Sequence, residues 1–523
     1  MERLTWPGCG LRLDSVACPT RGALTGAHGF CRLGNGQPNA AATVVCRMTP
    51  PRPRVRHGAS PAAAASLLSA LLAGCVVGPT PVAPPIEQLG APPEFANAGG
   101  APSKPATGNL SAWWSSFDDA TLSEFVTRAL EANADLEVAA ARVRQARAGL
   151  QVASAALWPS LGFGVSVTER EGAADTLYDA GLDAAYEVDL FGGVRRAVTA
   201  SRADLAATEA TRQGTRITVA AEVALNYVDA RLAQRRLAIA QASLAAQDET
   251  LQIVGWRVMA GLAGSLDEEQ ARRLRAQTAA AIPAVEQSLE AAVNRLAVLL
   301  AWPGGEVRSR LFADSNAPVP LAATPAVGIP AETLRRRPDV LAAEQAVIAQ
   351  VARIGVAEAQ LYPALRLGGS FGGTATSLGD IADAATGALI ASLAQPIFEG
   401  GRLRAAVEQQ RAAADAAVAQ YRGTLLAAVE DTENALVAVD ATERRESQLV
   451  VAEEAARNAT GLARSQYQAG LIDFQTLLDN ERSLLATEDS RAGARADRAT
   501  ATIRLFKALG GGWEYVENSD GSN

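Results

Sequence analysis

The side chains best suited to nucleophilic, acid–base or metal chemistry are gathered at the start of this 523-residue chain. Both histidines and four of the five cysteines lie within the first 57 residues: His28, His57, Cys9, Cys18, Cys31 and Cys46. An even number of cysteines in a Gly/Pro-rich stretch suggests a disulfide framework. A basic and then apolar segment around residues 48–74 favours another interpretation, in which these residues are absent from the mature protein.

That segment has the features of a secretory signal peptide. After Met48 come three arginines and then small and apolar residues from Pro61 to Ala73. A basic start followed by an apolar run of about 13 residues is typical of a signal peptide, and the run is too short to span a bilayer. Residues 1–47 are therefore interpreted as an extension ahead of the true start, Met48.

The signal ends in Leu72-Ala73-Gly74-Cys75, which resembles a bacterial lipobox. This resemblance predicts that Cys75 carries diacylglycerol and palmitate and becomes the mature N terminus. By resemblance to the bacterial sorting rule, Val76 rather than Asp after this cysteine favours sorting to the outer membrane. An ordinary signal peptide with a chance cysteine is the alternative.

The mature chain of 449 residues has no histidine, and Cys75 is its only cysteine. The commonest general base, metal ligand and nucleophile are therefore missing. Glycine runs such as Gly368-Gly369 lack the lysine and following helix of a phosphate-binding loop. Eight arginines and two acidic residues leave with residues 1–74, so the net charge changes from −8 to −14. This charge argues against nucleic acid as a partner, and no enzyme activity, cofactor or metal is expected.

The second half of the chain repeats the first. Asp135 aligns with Asp339 and Pro159 with Pro363, both at an offset of 204 residues, and further on Gly261 aligns with Gly470. A solenoid has much shorter units of about 20–50 residues. The chain is therefore predicted to be an internal duplication with pseudo-twofold construction.

Each repeat is predicted to contain long helices and two short strands. The apolar spacing predicts helices at 121–157 and 193–260, a return helix that ends at about Leu300, and helices at 331–361, 401–468 and 474–509. A helix of some 67 residues would be about 100 Å long, far beyond a globular helix. Neither half contains 18 consecutive apolar residues, so no transmembrane helix is predicted.

The strands alternate between apolar and acidic side chains. Leu182, Tyr186 and Val188 alternate with Asp183, Glu187 and Asp189. Such alternation fits a transmembrane barrel strand with lipid on one side and water on the other, so the three carboxylates are predicted to face a barrel lumen. A half-buried strand of a soluble sheet is the alternative interpretation.

Four strands cannot close a barrel, and unpaired strand edges in lipid cost several kcal/mol per backbone group. The strands must therefore be completed by other copies of the chain. The predicted fold class is mainly α with a small transmembrane β part, assembled as a homo-oligomer that shares one barrel above a tube of long helices.

Several motifs resemble one known family. They are Val77-Gly78-Pro79 before a proline-rich tether, Trp113-Trp114, Pro338-Asp339-Val340, the Gly-Gly junctions at 192–193 and 400–401, and Tyr467-Gln468-Ala469-Gly470. Together they resemble the outer-membrane efflux proteins of the TolC/OprM/NodT type over Cys75 to Gly510.

The resemblance implies a homotrimeric, TolC-like duct, lipid-anchored in the outer membrane and extending into the periplasm. It implies a 12-stranded barrel, four strands per protomer, on a periplasmic α-helical barrel. The implied partners are a periplasmic membrane-fusion adaptor, an inner-membrane RND transporter and outer-membrane lipid. The predicted organisation is an extension at 1–47, a signal peptide at 48–74, a lipidated tether at 75–120, efflux repeats at 121–320 and 321–510, and a polar tail at 511–523.

The resemblance also assigns roles to particular residues. Two turns resemble periplasmic tips that dock the adaptor: Gly261-Leu262 and Gly470-Leu471. Plain helix-hairpin turns are the alternative. Asp479 resembles an acidic ring that narrows the closed pore, where three carboxylates would favour cations; an ordinary solvated carboxylate is the alternative. Gln475 stands where relatives can carry an apolar residue, and Asp473 is a second gate candidate.

The predicted function is the passive conduction of small toxic compounds out of the cell. A type I protein-secretion duct is the rival within transport, and the lipobox favours efflux. A metal-efflux duct has little support, because the mature chain has one methionine and no histidine. A lipid-anchored periplasmic coiled-coil scaffold is the alternative from another class. A wide aqueous duct imposes little chemistry on the compound that passes through it.

Overall fold

The computed structural model describes residues 76–97, 110–169, 176–314, 317–325 and 330–514. All of them fall in one compact unit, Ser66–Asn523. Cys75, the predicted signal peptide and the predicted N-terminal extension lie outside the described residues. Most of the predicted polar tail, beyond residue 514, lies outside them as well.

The elements follow one another in the same order twice. The first series is α1 (Ala120–Ala132), α2 (Ala134–Ala155), β1 (Ser160–Thr168), β2 (Leu177–Val188), α3 (Gly193–Met259) and α4 (Ser265–Leu300). A short helix, α5 (Gly304–Phe312), leads into the second series. That series is α6 (Pro330–Arg335), α7 (Pro338–Ala359), β3 (Ala364–Ala375), β4 (Thr386–Ala394), α8 (Arg402–Gln468) and α9 (Phe474–Ala508).

Glycines delimit the two longest helices, α3 and α8, which have 67 residues each. Gly192 and Gly401 precede them with φ of 81° and 87°, and Gly261 and Gly470 follow them with φ of 72° and 74°. Residues with a Cβ rarely adopt this left-handed conformation. The glycine positions therefore explain why the predicted bounds of both helices are nearly those observed.

The predicted helix 121–157 is wrong as a single element, because Asn133 divides it into α1 and α2. Asn133 has an extended ψ of 132°, and its side chain accepts a hydrogen bond from the N–H of Asp135, which caps α2. Its amide also donates to the carbonyl of Leu299 at 3.0 Å. The break is thus stabilised by a capping bond and by a contact distant in sequence.

The predicted helix 331–361 is likewise wrong as one element. Arg337 is extended, and Pro338 occupies the first turn of α7. Proline disfavours helical conformation in the residue before it and is well suited to a first helical turn. Arg337 then joins three helices: it donates to Asp339, to Asp431 and to the carbonyl of Ala508.

The largest hydrophobic core forms where α1, α3, α4, α5 and α9 meet. Trp113 is 1% exposed and stacks on Phe506 with ring centroids 5.3 Å apart. Phe125 meets both Tyr227 and Trp302 edge to face. Aromatic pairs of this kind add about 0.5–1.5 kcal/mol beyond area burial, so this aromatic cluster fixes the two halves of the chain to each other.

One helix of the described part, α7, is long and apolar enough to cross a membrane by length and composition. The sequence prediction of no transmembrane helix rested on unbroken runs of 18 apolar residues, and α7 contains no such run. Val340, Val347 and Ala349 are buried, and α7 packs against α3 and α8. These contacts are those of a core helix of the bundle.

The four strands form one antiparallel sheet in the order β1-β2-β3-β4. Phe163 lies opposite Leu182, Leu182 opposite Phe371, and Phe371 opposite Gly387. β2 and β3 come from different halves of the chain, so the sheet joins the two repeats. Among the described residues, β1 and β4 are each paired along one edge only.

Candidate functional site: the two-faced sheet and the helical tips

The sheet has one apolar face. Every second residue of each strand projects its side chain to this face: Leu161, Phe163, Val165, Val167, Leu182, Tyr186, Val188, Leu365, Leu367, Phe371, Leu389 and Leu393. Several of them are strongly exposed, including Phe163 at 71% and Leu389 at 90%. A continuous exposed apolar surface of this kind marks a contact with lipid or with another protein.

The opposite face carries mainly small and charged side chains, with Leu177 and Ile390 as its larger apolar members. Asp183 lies opposite Gly162 and Ser370, and Glu187 contacts Arg366 with Oε2 3.1 Å from Nε. Asp179 also lies on this face and accepts a hydrogen bond from the hydroxyl of Thr374 at 2.8 Å. The face therefore holds three carboxylates and one guanidinium. It is suited to water and favours cations over anions.

Asp179 was not among the residues predicted from the sequence. The alternation that predicts Asp183 and Glu187 continues through Tyr178 and Asp179, and β2 begins at Leu177. Asp179 therefore belongs to the same alternating pattern, four residues before Asp183, and could have been predicted from it.

Asp189 has a different position from the other two predicted lumen residues. It follows the end of β2 and accepts hydrogen bonds from the N–H groups of Val194 and Arg195, at 3.1 and 2.9 Å. The guanidinium of Arg195 also binds it. A carboxylate is favourable at a helix N terminus, so Asp189 stabilises the junction between the sheet and α3.

The predicted tips are closed helical turns with exposed leucines. Leu262 donates its N–H to the carbonyl of Arg257 at 2.8 Å, and Leu471 does the same to Gln466 at 2.9 Å. These are the bonds of a Schellman motif, which explains the left-handed glycine in each turn. The side chains of Leu262 and Leu471 are 69% and 74% exposed, so both turns present an apolar side chain.

The first tip is the more apolar of the two, which sequence reasoning missed. Trp256, Met259 and Leu266 are exposed within a few residues of Gly261, and Met259 reaches 79% exposure. Their proximity to the glycine was the available signal. A cluster containing Trp and Met is typical of protein-binding surfaces.

The two hairpins of the protomer are linked near their tips. Arg257 donates to the carbonyl of Tyr467 at 2.6 Å, and its guanidinium lies over the Tyr467 ring at 4.6 Å. Burial raises the pKa of the Tyr467 phenol, an effect opposed by the nearby Arg257. Further along, the hydroxyl of Thr250 donates to Glu481 at 2.8 Å. The first hairpin is therefore bound to the second through one buried and one half-buried polar contact.

The structure brings two of the three predicted gate residues together. The amide of Gln475 donates to Oδ1 of Asp479 at 2.9 Å, and Arg482 approaches the same oxygen at 3.8 Å. The Asp479 side chain is 60% exposed. Asp473 lies apart and caps α9, and hydrogen bonds from the hydroxyl and the N–H of Thr476 hold the pKa of its carboxyl below the usual range. Asp473 thus has a structural role already.

Buried glutamates line the contact between α8 and α9, and none of them was predicted from the sequence. Glu446, Glu453 and Glu481 are each at most 6% exposed. Glu453 is bound by Arg457 and Arg491, both at 2.5 Å, and Glu446 by Arg498 at 3.1 Å. Removing one partner of such a pair leaves an uncompensated buried charge. The seven-residue interval from Glu446 to Glu453 was a usable signal, because it places both on one helix face.

Comparison with known proteins gives consistent matches over most of the chain. The family model described as outer membrane efflux protein matches residues 125–301 and 329–511. The pyoverdine export outer membrane protein OpmQ of Pseudomonas putida is 34% identical over 77% of this chain and 88% of its own length. Nodulation protein T of Rhizobium leguminosarum bv. trifolii is 32% identical over 86% of this chain and 97% of its own length. The solved outer-membrane channel OprN is 34% identical and has a TM-score of 0.76, over 84% of this chain and all of that one.

Proposed function

Because the chain belongs to the outer membrane efflux protein family, we propose that it is the exit duct of a tripartite RND-type pump. It is an outer-membrane efflux channel with the TolC-like fold. In the proposed role it conducts small toxic compounds passively, from a periplasmic adaptor and an inner-membrane transporter to the cell exterior.

The observation that carries the proposal is the two-faced sheet with two unpaired edges. In lipid, every backbone N–H and C=O needs a partner, and β1 and β4 lack one on their outer edges within the described protomer. Pairing β4 of one copy with β1 of the next satisfies both edges. Three copies then give twelve strands, with the apolar face toward lipid and the carboxylates of Asp179, Asp183 and Glu187 toward water.

The helical tips supply the proposed contact with the adaptor. Leu262 and Leu471 are exposed at the ends of the two hairpins, and Trp256 and Met259 enlarge the first of them. Exposed aromatic and Met side chains are favourable anchors in a protein interface. A trimer presents six such tips in alternation, so the adaptor meets two chemically different sites.

Two experiments distinguish efflux from the two alternatives, and the first is deletion of the gene. We expect the deletion strain to become more sensitive to small toxic compounds, with no change in its secreted proteins. Loss of a secreted protein with unchanged sensitivity would support a type I secretion duct instead. In denaturing gels, the purified protein should migrate as a trimer that heating dissociates; a scaffold without a barrel would show no such band.

Asp479→Ala is expected to raise the conductance of the isolated trimer in a planar bilayer and to lower its preference for cations. Removing three carboxylates from a narrow ring lowers the attraction for cations and widens the opening. Asp440→Ala is the matched control, since Asp440 is an exposed helical carboxylate bound by Arg444. Equal conductance in the two variants would show that Asp479 is an ordinary surface carboxylate.

Cys75→Ser is expected to abolish acylation, because a hydroxyl cannot replace the thiol that receives the lipid at a lipobox. The measurement is metabolic labelling with palmitate followed by isolation of the protein. Label that persists on the variant would contradict the proposed anchor. A second serine substitution, at Cys46 in the predicted extension, should leave the labelling unchanged.

A further inference from the structure

A groove between the two hairpins lies close to the proposed gate and has no assigned role. It is a cavity of about 380 Å³ bounded by α3, α4 and α9. Ile239, Leu274, Val285 and Leu485 contribute apolar walls from all three helices. A volume in this range and a mainly apolar lining with a few polar groups are typical of small-molecule sites.

Two arginines and one carboxylate provide the charge in this groove. Arg236 is neutralised by Asp489, with which it makes hydrogen bonds of 2.8 and 3.3 Å. Arg482 is different: the nearest carboxylate oxygen within the described part of the chain, on Asp479, is 3.8 Å from its guanidinium and already accepts a hydrogen bond from Gln475. Among the described residues that line it, the groove thus has one guanidinium with donors to spare, in a chain with a net charge of −8.

From this combination we infer that the groove binds an amphipathic anion, with an apolar body between the helices and a single carboxylate on Arg482. The planar guanidinium matches a carboxylate with two parallel hydrogen bonds. A cationic amphiphile would need a free carboxylate, and Asp489, the carboxylate among the described lining residues, is already bound by Arg236. The bound anion contacts both hairpins, α3 and α4 on one side and α9 on the other, and therefore holds them in the observed arrangement.

This site does not depend on the proposed pump partners, although its effect on conductance rests on the proposed function. The two are separable, because binding is measured on the purified trimer and channel activity on the same protein without ligand. If the trimer conducts in the absence of ligand but does not bind the anion, the proposed binding site is refuted and the proposed function is not. A trimer that binds but never conducts refutes the proposed function alone.

The test uses 4-benzoylbenzoate, an aromatic carboxylate that inserts into C–H bonds when illuminated. We expect saturable labelling of peptides from α4 and α9 in the full trimer. Decanoate should compete, and decyltrimethylammonium should not. Equal competition by the cation, or labelling of dissociated monomers but not of trimers, would overturn the proposal.

Two variants separate the charge from the cavity. Arg482→Gln should weaken binding of 4-benzoylbenzoate about tenfold or more, as expected for a lost charge-assisted hydrogen bond. The same variant should leave binding of the uncharged amide, 4-benzoylbenzamide, unchanged. Ala281→Trp, at an exposed lining position, should block both probes by filling the groove.

Arg444→Gln, on the exposed surface of α8, is the control and should bind both probes normally. If Arg482→Gln affects the acid and the amide equally, the arginine does not recognise the carboxylate. If Ala281→Trp binds both probes normally, the groove is not the site. With the wild-type trimer in a bilayer, decanoate should lower conductance, and Ala281→Trp should remove this effect.

Discussion

Arg231→Ala should strongly destabilise the protein, because it removes a buried guanidinium that several parts of the chain share. Arg231 is 2% exposed, and its guanidinium donates to the Tyr227 hydroxyl, to Gln234 and to the carbonyls of Leu311 and Asp314. Alanine removes all four of these bonds, and a hydrogen bond to a charged group contributes about 1.5–3 kcal/mol. The carbonyls of Leu311 and Asp314 then keep only longer bonds, from Gln234 at 3.4 Å and from the N–H of Ala317 at 3.3 Å. The free energy of unfolding is therefore expected to fall by about 3 kcal/mol or more.

The effect extends beyond one helix. The carbonyls of Leu311 and Asp314 belong to the end of α5 and the segment after it, which leads from the first half of the chain to the second. The Tyr227 hydroxyl in turn donates to Asp119, the N-cap of α1, at 2.7 Å. Without the guanidinium, the polar attachment of this connecting segment to α3 is reduced to the 3.4 Å bond from Gln234 to the Leu311 carbonyl.

The measurement is thermal unfolding of the purified trimer, followed by far-UV circular dichroism. Arg235→Ala is the matched control, because Arg235 lies on the same helix with an exposed side chain. We expect the midpoint to fall by several degrees or more for Arg231→Ala and to change little for Arg235→Ala. Similar midpoints for the two variants would mean that the connecting segment is held by other contacts.

Phe163→Arg should prevent stable assembly in the outer membrane. Phe163 is 71% exposed on the apolar face of the sheet, which in the proposed trimer contacts lipid. An arginine facing lipid near the bilayer midplane costs about 2–4 kcal/mol, and a trimer contains three copies. The loss of a heat-dissociable trimer band from outer-membrane fractions is the expected result.

Ser166→Arg provides the control on the neighbouring face. Ser166 belongs to the same strand but lies opposite Asp179, so an arginine there meets water and a carboxylate. We expect this variant to assemble normally. Equal loss of both trimers would indicate that β1 tolerates no bulky residue, and equal survival would show that the apolar face does not contact lipid.

The sequence predicts the long helices and the two-faced strands well, because both have local signals. Gly192 and Gly261 delimit α3 independently of its tertiary contacts, because a left-handed backbone conformation favours glycine. The alternation around Asp183 identifies a strand because successive side chains project to opposite faces. The strand pairing between halves follows from neither signal and required the structure.

The remaining features depend on contacts that are distant in sequence. Asn133 interrupts a helical pattern partly because its amide binds the carbonyl of Leu299. Arg231 and Glu453 resemble solvated residues in an alanine-rich helix, and only their neighbours show that they are buried. The half-buried Arg482 of the groove is recognisable only once α3, α4 and α9 are placed together.

The equal length of α3 and α8 constrains how this chain can change over time. Each residue added to a helix advances its end by about 1.5 Å and rotates it by about 100°. A single-residue insertion in α3 would displace the tip at Gly261 along the helix axis and rotate its apolar side chains. The tip at Gly470, at the end of α8, would stay in place, so the two tips would no longer end at the same level. Insertions and deletions are therefore tolerable only when both halves change together. Steps of seven residues, which nearly restore the original face, are the most readily accommodated.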